Sequence, residues 1–253
     1  MAIPASRITE VIEELDKIIE KSLIDKSRMG LFAALYRKVT QRVQEGIAAG
    51  RFDDGDRMER LDVVFANRYL EAYQEFANGQ AVTSSWHLTF EASKVPNMLL
   101  IQHLLAGINA HISLDLGIAS AHVAMDRPLA NFEKDFNEIN LLLADLIDSI
   151  QNAMSRSLMA MAAVDWIAGK LDEKIARFSL EFFRKRAWHT TTTLYELSEP
   201  HLSQRIIELD QQTTKENLLF TSFGGSILTP SLRLLAWTEN RKVVEIIQAF
   251  NAI

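Results

Sequence analysis

The chain has 253 residues, of which 48% are hydrophobic and 24% are charged, and it contains no cysteine. This apolar fraction excludes a disordered chain, and the lack of cysteine excludes a disulfide scaffold, a thiol nucleophile and a cysteine-bound zinc. The net charge of −6 argues against a broad basic surface, so no nucleic acid partner is predicted. The first residues lack a basic stretch followed by an apolar one, so the sequence predicts no signal peptide and a cytoplasmic location.

Apolar residues recur at three- and four-residue intervals along the chain, and no alternating strand pattern interrupts them. The first predicted helix follows Pro4, takes Ser6 as its N-cap and runs to about Lys21. The next helices are predicted over about 29–49, 58–77 and 83–93. Gly50 is placed to close the second of these helices.

The most apolar element is a predicted central helix over about 96–125. No charged residue occurs from 95 to 114, yet strongly polar residues, among them His103 and His111, disfavour a transmembrane segment. A helix that is apolar on nearly every side is typical of the centre of a bundle. We therefore expect this helix to be buried by its neighbours.

Further helices are predicted over about 131–169, from 171 to 197, after Pro200, and over 230–250, with a loop at 222–226. No long polar linker and no repeat of fixed period divides the chain. The sequence therefore predicts an all-α fold. It is a single multi-helix bundle of about eight to ten helices in one domain that spans 1–253.

Polar side chains gather on one side of the central helix. At about 100° per residue, His111, His122 and Asp115 all fall within about 120° of His103. His111 and Asp115 are one turn apart, so they are able to share an ion or to pair with each other. Gly107 lies on the same face, where its missing side chain leaves room for a ligand, a water or a crossing helix.

One hypothesis from this pattern is a metal-dependent enzyme. A His-x-x-x-acid pair supplies one nitrogen and one oxygen ligand, and bundle-core metal sites are built in this way. His111, Asp115, His103 and His122 are then the candidate ligands for zinc or another divalent metal that activates water to hydrolyse an ester or phosphoester. His103 is also a candidate general base, and Arg184 is a candidate for holding an anionic substrate group.

The alternative hypothesis is a non-enzymatic helical protein. A buried His–Asp pair one turn apart satisfies its own hydrogen bonds, so the same residues then form a structural network. In that case the protein binds a small-molecule or lipid-like ligand, or a partner. Asp62, Asn109 and Trp188, like Gly107, are further candidates for lining a pocket, and Arg68 is a second residue of the third helix that is able to face the central site. Neither hypothesis predicts an oligomeric state.

The run HLLAGINAHISLDLG at 103–117 resembles the signature of an uncharacterised bacterial family catalogued as a domain of unknown function. Segments 61–70 and 184–188 agree with that family, and the resemblance spans about 30–194. It implies a grouping and a helical fold, but no activity. A weaker similarity is to the helical zinc-dependent phospholipase C and P1 nuclease enzymes, whose His-x-x-x-Asp pair and following His are matched by His111, Asp115 and His122. That similarity implies a zinc site.

Overall fold

The computed structural model of the chain describes residues 4–96, 98–125, 129–143, 173–222 and 230–251. These residues form helices joined by turns, and no strand occurs among them. In chain order the helices are α1 (Ile8–Asp25), α2 (Met29–Ala48), α3 (Gly55–Ala77), α4 (Ser84–Ala92), α5 (Leu100–Asn109), α6 (Gly117–Ala124), α7 (133–143 in the described part), α8 (Glu173–Tyr195), α9 (His201–Ser222), α10 (Pro230–Arg241) and α11 (Val243–Asn251). The predicted all-α bundle is confirmed.

A π-helical segment, Ala110–Leu116, joins α5 to α6, so that the three form one continuous central helix. This helix packs against α2, α3, α4, α8 and α9. By length and composition alone Leu100–Ala124 also qualifies as a membrane span, a test that buried core helices pass as well, and 78% of its most apolar window is buried. The helix therefore lies at the centre of the bundle, as predicted.

The N-terminal helix differs from its predicted bounds at both ends. It begins at Ile8, two residues after the predicted cap, because the backbone N–H and hydroxyl of Ser6 both donate to Glu10, at 2.7 and 2.9 Å. It ends at Asp25, because Lys26 adopts a left-handed φ of 52° and cannot continue the helix.

Other boundaries follow from local backbone hydrogen bonds. Gly50 has a φ of 66° and follows α2, as predicted. Helix α3 begins earlier than predicted because the side chain of Asp54 accepts from the backbone N–H of Arg57 at 3.0 Å. The last predicted helix is divided into α10 and α11. The N–H of Lys242, between them, donates to the carbonyl of Glu239 at 3.0 Å, which is a turn and not an α-helical hydrogen bond. Nearly all of the predicted loop at 222–226, and the predicted helix beyond 143, lie outside the described residues.

Carboxylates from distant helices cap several helix N-termini. Glu239 of α10 accepts from the N–H of Leu100 at 2.9 Å, at the start of the central helix. Asp210 of α9 accepts from the N–H groups of Ser84 and Ser85 at 2.7 and 2.9 Å, at the start of α4. The first N–H groups of a helix have no partner within it and carry partial positive charge, so an acidic side chain stabilises them.

Gly107 marks the point where α2 crosses the central helix. A Cβ atom at this position would lie 2.7 Å from Cδ2 of Phe32. The sequence allowed a ligand, a water or a crossing helix in the space beside Gly107, and the structure places a crossing helix there. The ring of Phe32 is itself held between Tyr69 and Trp86, with centroids 5.0 and 5.8 Å away, so it has little freedom to move.

We predict that Gly107→Ala lowers the free energy of unfolding by about 1–2 kcal/mol, because overpacking at the Phe32 ring outweighs the gain in helix propensity. Gly55→Ala is the matched control, since its Cβ would meet only Cγ2 of Ile47 at 3.4 Å. Urea unfolding of both variants tests this, and equal stability of the two would contradict the tight contact.

Candidate functional site

Asp115 lies at the centre of a buried hydrogen-bond cluster. Its side chain is 1% exposed and accepts from Nε of Arg68 at 2.7 Å and from Nε1 of Trp86 at 2.8 Å. Nδ1 of His111 lies 3.3 Å from the same carboxylate. Burial raises the pKa of Asp115, but the Arg68 charge and the hydrogen bonds from His111 and Trp86 outweigh it, so the pKa lies below its usual value. The carboxylate is therefore ionised at neutral pH.

His111 is neutral and acts as a donor to Asp115. Burial lowers its pKa more than the hydrogen bond and charge of Asp115 raise it. Since the carboxylate only accepts, Nδ1 carries the hydrogen and Nε2 carries the lone pair. Nε2 is buried and has no hydrogen-bond partner among the described residues. Within that part of the chain, this imidazole nitrogen is the basic atom of the cluster that lacks a partner.

Aromatic rings enclose His111. The ring of Phe65 stacks on the imidazole, with centroids 3.6 Å apart and an interplanar angle of 10°, and the ring of Tyr36 lies 4.4 Å away. Phe32, Tyr69 and Trp86 complete the shell at 5.7 to 6.0 Å. His111 is 3% exposed as a result. These rings come from α2, α3 and α4, which places the histidine inside the bundle.

The π-helical segment contains both His111 and Asp115. A π-helix bonds each residue to the fifth one along and holds more residues per turn than an α-helix. Such segments are rare, and they occur frequently at functional sites because they turn side chains to positions that a regular helix does not reach. Here the segment faces α3 and α4, which supply Arg68 and Trp86.

Asp62 on α3 is a second buried carboxyl group, and its state is opposite to that of Asp115. It is 6% exposed, and Oδ2 has no hydrogen-bond partner in the part of the chain that the structure describes. Burial, and then the charge of Glu59, raises its pKa to about 8. Asp62 is close enough to Tyr36 for its charge to act on that hydroxyl, but it makes no hydrogen bond to the Asp115 cluster. It therefore holds a proton at neutral pH.

His103 belongs to a different group of residues from His111. Its Nε2 atom lies 3.3 Å from Nη1 of Arg28. Burial and the Arg28 charge lower its pKa to about 3, so it is neutral. Phe32 lines a cavity with His103, and the centroid of its ring lies 5.7 Å from that of His111. Among the described residues, the hydrogen bonds of His103 and of Asp115 have different partners, so the structure does not join His103 to the Asp115 cluster.

His122 is exposed and lies outside the cluster. The angle predicted for it assumed about 100° per residue throughout. The π-helical segment precedes it and has more residues per turn, so the phase of the helix changes before His122 is reached. Among the described residues, no group of three or more His, Cys, Asp or Glu side chains is placed to hold a metal. Of the four predicted ligands, His111 and Asp115 meet.

The other predicted pocket residues lie elsewhere. Asn109 is fully buried, but its amide donates to Asn217 at 2.9 Å and accepts from Ser113 at 2.7 Å, which joins the central helix to α9. Arg184 and Trp188 both pack on Phe136, at 4.4 and 4.9 Å from the centroid of its ring. Burial lowers the pKa of Arg184 to about 9.

Arg68 was a sequence candidate, but the aromatic shell and Trp86 were missed. A signal for them was present, because each of three helices carries two aromatic residues one turn apart: Phe32 and Tyr36, Phe65 and Tyr69, Trp86 and Phe90. Each pair forms a stripe on one helix face. The sequence does not say that the three stripes converge on one histidine.

We predict that Asp115→Asn lowers the free energy of unfolding by about 2–3 kcal/mol, because it removes the counter-charge of Arg68 and replaces one acceptor by a donor. The loss is smaller than for a fully buried ion pair, since the Arg68 side chain is 28% exposed. Asp53→Asn is the control, because its ion pair with Lys134 is on the surface and is expected to contribute less than about 1 kcal/mol. Chemical unfolding would contradict the prediction if both variants matched the wild type.

A second prediction concerns pH. The folded protein holds the proton of Asp62 more tightly than the unfolded chain, so this group makes stability fall as pH rises from 3.8 to about 8. We expect Asp62→Asn to remove this decline and to raise stability at pH 8 relative to the wild type. Unfolding curves between pH 5 and about 8.5 measure it, with the exposed Asp56→Asn as control. An unchanged pH profile would show that Asp62 is ionised in the folded state.

A family model with the description "Family of unknown function (DUF5995)" matches residues 8–222. This range includes the whole Asp115 cluster and ends where α9 ends. No curated protein and no solved structure matches the chain. The similarity to zinc-dependent phospholipase C and P1 nuclease therefore stays a prediction. The match covers most of the chain, which therefore belongs to this family of unknown function.

Proposed function

We propose that this protein is a non-enzymatic helical binding protein in which the Asp115 cluster is a structural hydrogen-bond network. The observation that carries the proposal is the set of donors around Asp115. Arg68 already balances the charge of the carboxylate, and Trp86 and His111 donate to it as well. A divalent cation at Asp115 would have to displace Arg68, since two cations at one carboxylate repel each other.

The space around His111 supports the same proposal. A cavity that is lined in part by three rings of the shell, Phe32, Tyr69 and Trp86, has a volume of about 20 Å³. This volume is enough for about one water molecule, whereas small-molecule sites usually have about 300–1,000 Å³. An ester or phosphoester substrate does not fit in such a space.

A larger groove on the surface offers a binding site of suitable size. It has a volume of about 540 Å³ and lies between the start of α1 and the facing parts of α2 and α3. Ile8 and Ile47 supply apolar surface in it, and Arg7, Gln44 and Glu59 supply polar groups. None of the residues of the Asp115 cluster lines it. A small-molecule ligand or an extended segment of a partner is the occupant that this mixture of polar and apolar groups suits.

The second candidate function is a metal-dependent hydrolase centred on His111. It is favoured by the unpartnered Nε2 atom of His111 and by the π-helical segment that carries the residue. In this case His111 and Asp115 would hold zinc or another divalent metal, and that ion would supply an activated water.

Metal content separates the two functions. We expect tag-free wild-type protein to contain well under one equivalent of zinc, iron and manganese per chain, both as purified and after incubation with zinc followed by dialysis. His111→Gln is expected to have the same metal content and lower thermal stability, because it loses the stacking on Phe65 and the bond to Asp115. About one equivalent of metal that is lost in His111→Gln would overturn the proposal and support the hydrolase. The exposed His122→Gln is the control.

A further inference from the structure

Arg28, at the start of α2, is a buried cation that is surrounded by neutral acceptors. Its side chain is 4% exposed. The guanidinium donates to the carbonyls of Val95 and Pro96 and to Oδ1 of Asn240, the last two at 2.7 and 2.8 Å. Within the described part of the chain, no carboxylate forms an ion pair with it. A buried charge is costly unless a counter-charge balances it.

The two titratable groups nearest to Arg28 do not supply a full counter-charge. His103 accepts from Nη1 of Arg28 at 3.3 Å, so it is neutral and its hydrogen is on Nδ1. Glu239 acts on Arg28 only at a distance, because its Oε2 is used by the N–H of Leu100 at 2.9 Å. Burial also raises the pKa of Glu239 to about 7, so at neutral pH its charge is only partly present.

A cavity of about 20 Å³ lies beside this centre and is lined by Arg28, His103 and Tyr69. Each of these side chains carries one buried polar atom that has no hydrogen-bond partner among the described residues, namely Nε of Arg28, Nδ1 of His103 and Oη of Tyr69. All three atoms bear hydrogen and are donors in these states. The side chains around the cavity therefore combine one positive charge with unpaired donors.

The positive charge and the unpaired donors around the cavity indicate which ligand it binds. A water molecule accepts about two hydrogen bonds and brings no charge, whereas a halide ion accepts from several donors and balances Arg28. The small volume leaves no room for a polyatomic anion such as phosphate. Met29 and Ser93, which also line the cavity, are only partly buried, so this side of the cavity lining reaches the surface of the bundle.

We infer that the cavity beside Arg28 and His103 is a binding site for one monatomic anion of the size and charge of chloride. Arg28 supplies the counter-charge, and His103 and Tyr69 supply neutral donors. The bound ion would connect α2, α3 and the start of the central helix. This inference does not depend on the proposed function, because none of these atoms contacts Asp115.

Thermal unfolding in sodium chloride and in sodium gluconate at equal ionic strength tests the inference, since gluconate is too large for the cavity. We expect the wild-type midpoint to rise with chloride and not with gluconate, because a ligand that binds only the folded state stabilises it. Tyr69→Phe keeps the ring but removes a donor to a charged group, so the chloride Kd should rise about tenfold or more. Tyr73→Phe, which removes a neighbouring hydroxyl that does not line the cavity, should bind chloride as the wild type does.

Crystals of the wild-type protein grown in sodium bromide provide a test that needs no variant. We expect one anomalous scattering peak in the cavity beside Arg28. An ordered water in its place, together with equal midpoints in chloride and gluconate, would overturn the inference. A chloride effect that Tyr69→Phe retains with an unchanged Kd would overturn it as well, because the ion would then bind elsewhere.

Discussion

The ionised carboxylate of Asp115 is the constraint on which the arrangement of the core depends. An unpaired charge at this depth would be costly, so the helices around it have to supply donors. Arg68 of α3 and Trp86 of α4 do so, and His111 does so from the same π-helical segment. The register of α3 and α4 against the central helix is set by these contacts, since a shift of either helix by one residue would move its donor away. Apolar packing alone tolerates such shifts more easily.

The same principle operates at the ends of helices. The first N–H groups of a helix have no partner within it, and here side chains of distant elements accept from them. Glu239 and Asp210 cap the central helix and α4 from helices that lie far away in the sequence. Asp135 accepts from the N–H groups of Asp53 and Asp54 at 2.7 and 3.0 Å and pairs with Arg57. Charged groups thus join helices that are distant in the chain. Arg28 does so as well, but its acceptors are neutral groups and a cavity lies beside it.

These observations separate two kinds of buried polar group. The carboxylate of Asp115 has its charge balanced by an arginine and its oxygens occupied, which is the state expected of a structural residue. By contrast, some buried polar atoms lack partners in the described part of the chain: His111 Nε2, Asp62 Oδ2 and the three donors of the cavity at Arg28. Such atoms indicate either a bound water or ion or a role in chemistry. The free volume beside these atoms indicates whether a bound water or ion is the better explanation. The cavity at Arg28 has room for one water molecule or one monatomic ion. The rings of Phe65 and Tyr36, in contrast, pack directly against His111.

The sequence by itself determined the all-α class, the buried central helix and most helix positions, because three- and four-residue spacing of apolar side chains is a local property of the chain. It also indicated that His111 and Asp115 are close enough to pair and that Gly107 leaves room beside the helix, since both expectations depend only on spacing along one helix. Only the tertiary structure decided the rest. The π-helical segment changed the phase that had placed His122 with His103, and α2 brought Arg28 to His103 and Phe32 to Gly107. Which helix supplies a partner depends on the packing of segments far apart in the sequence, and spacing along one helix contains no information about its neighbours.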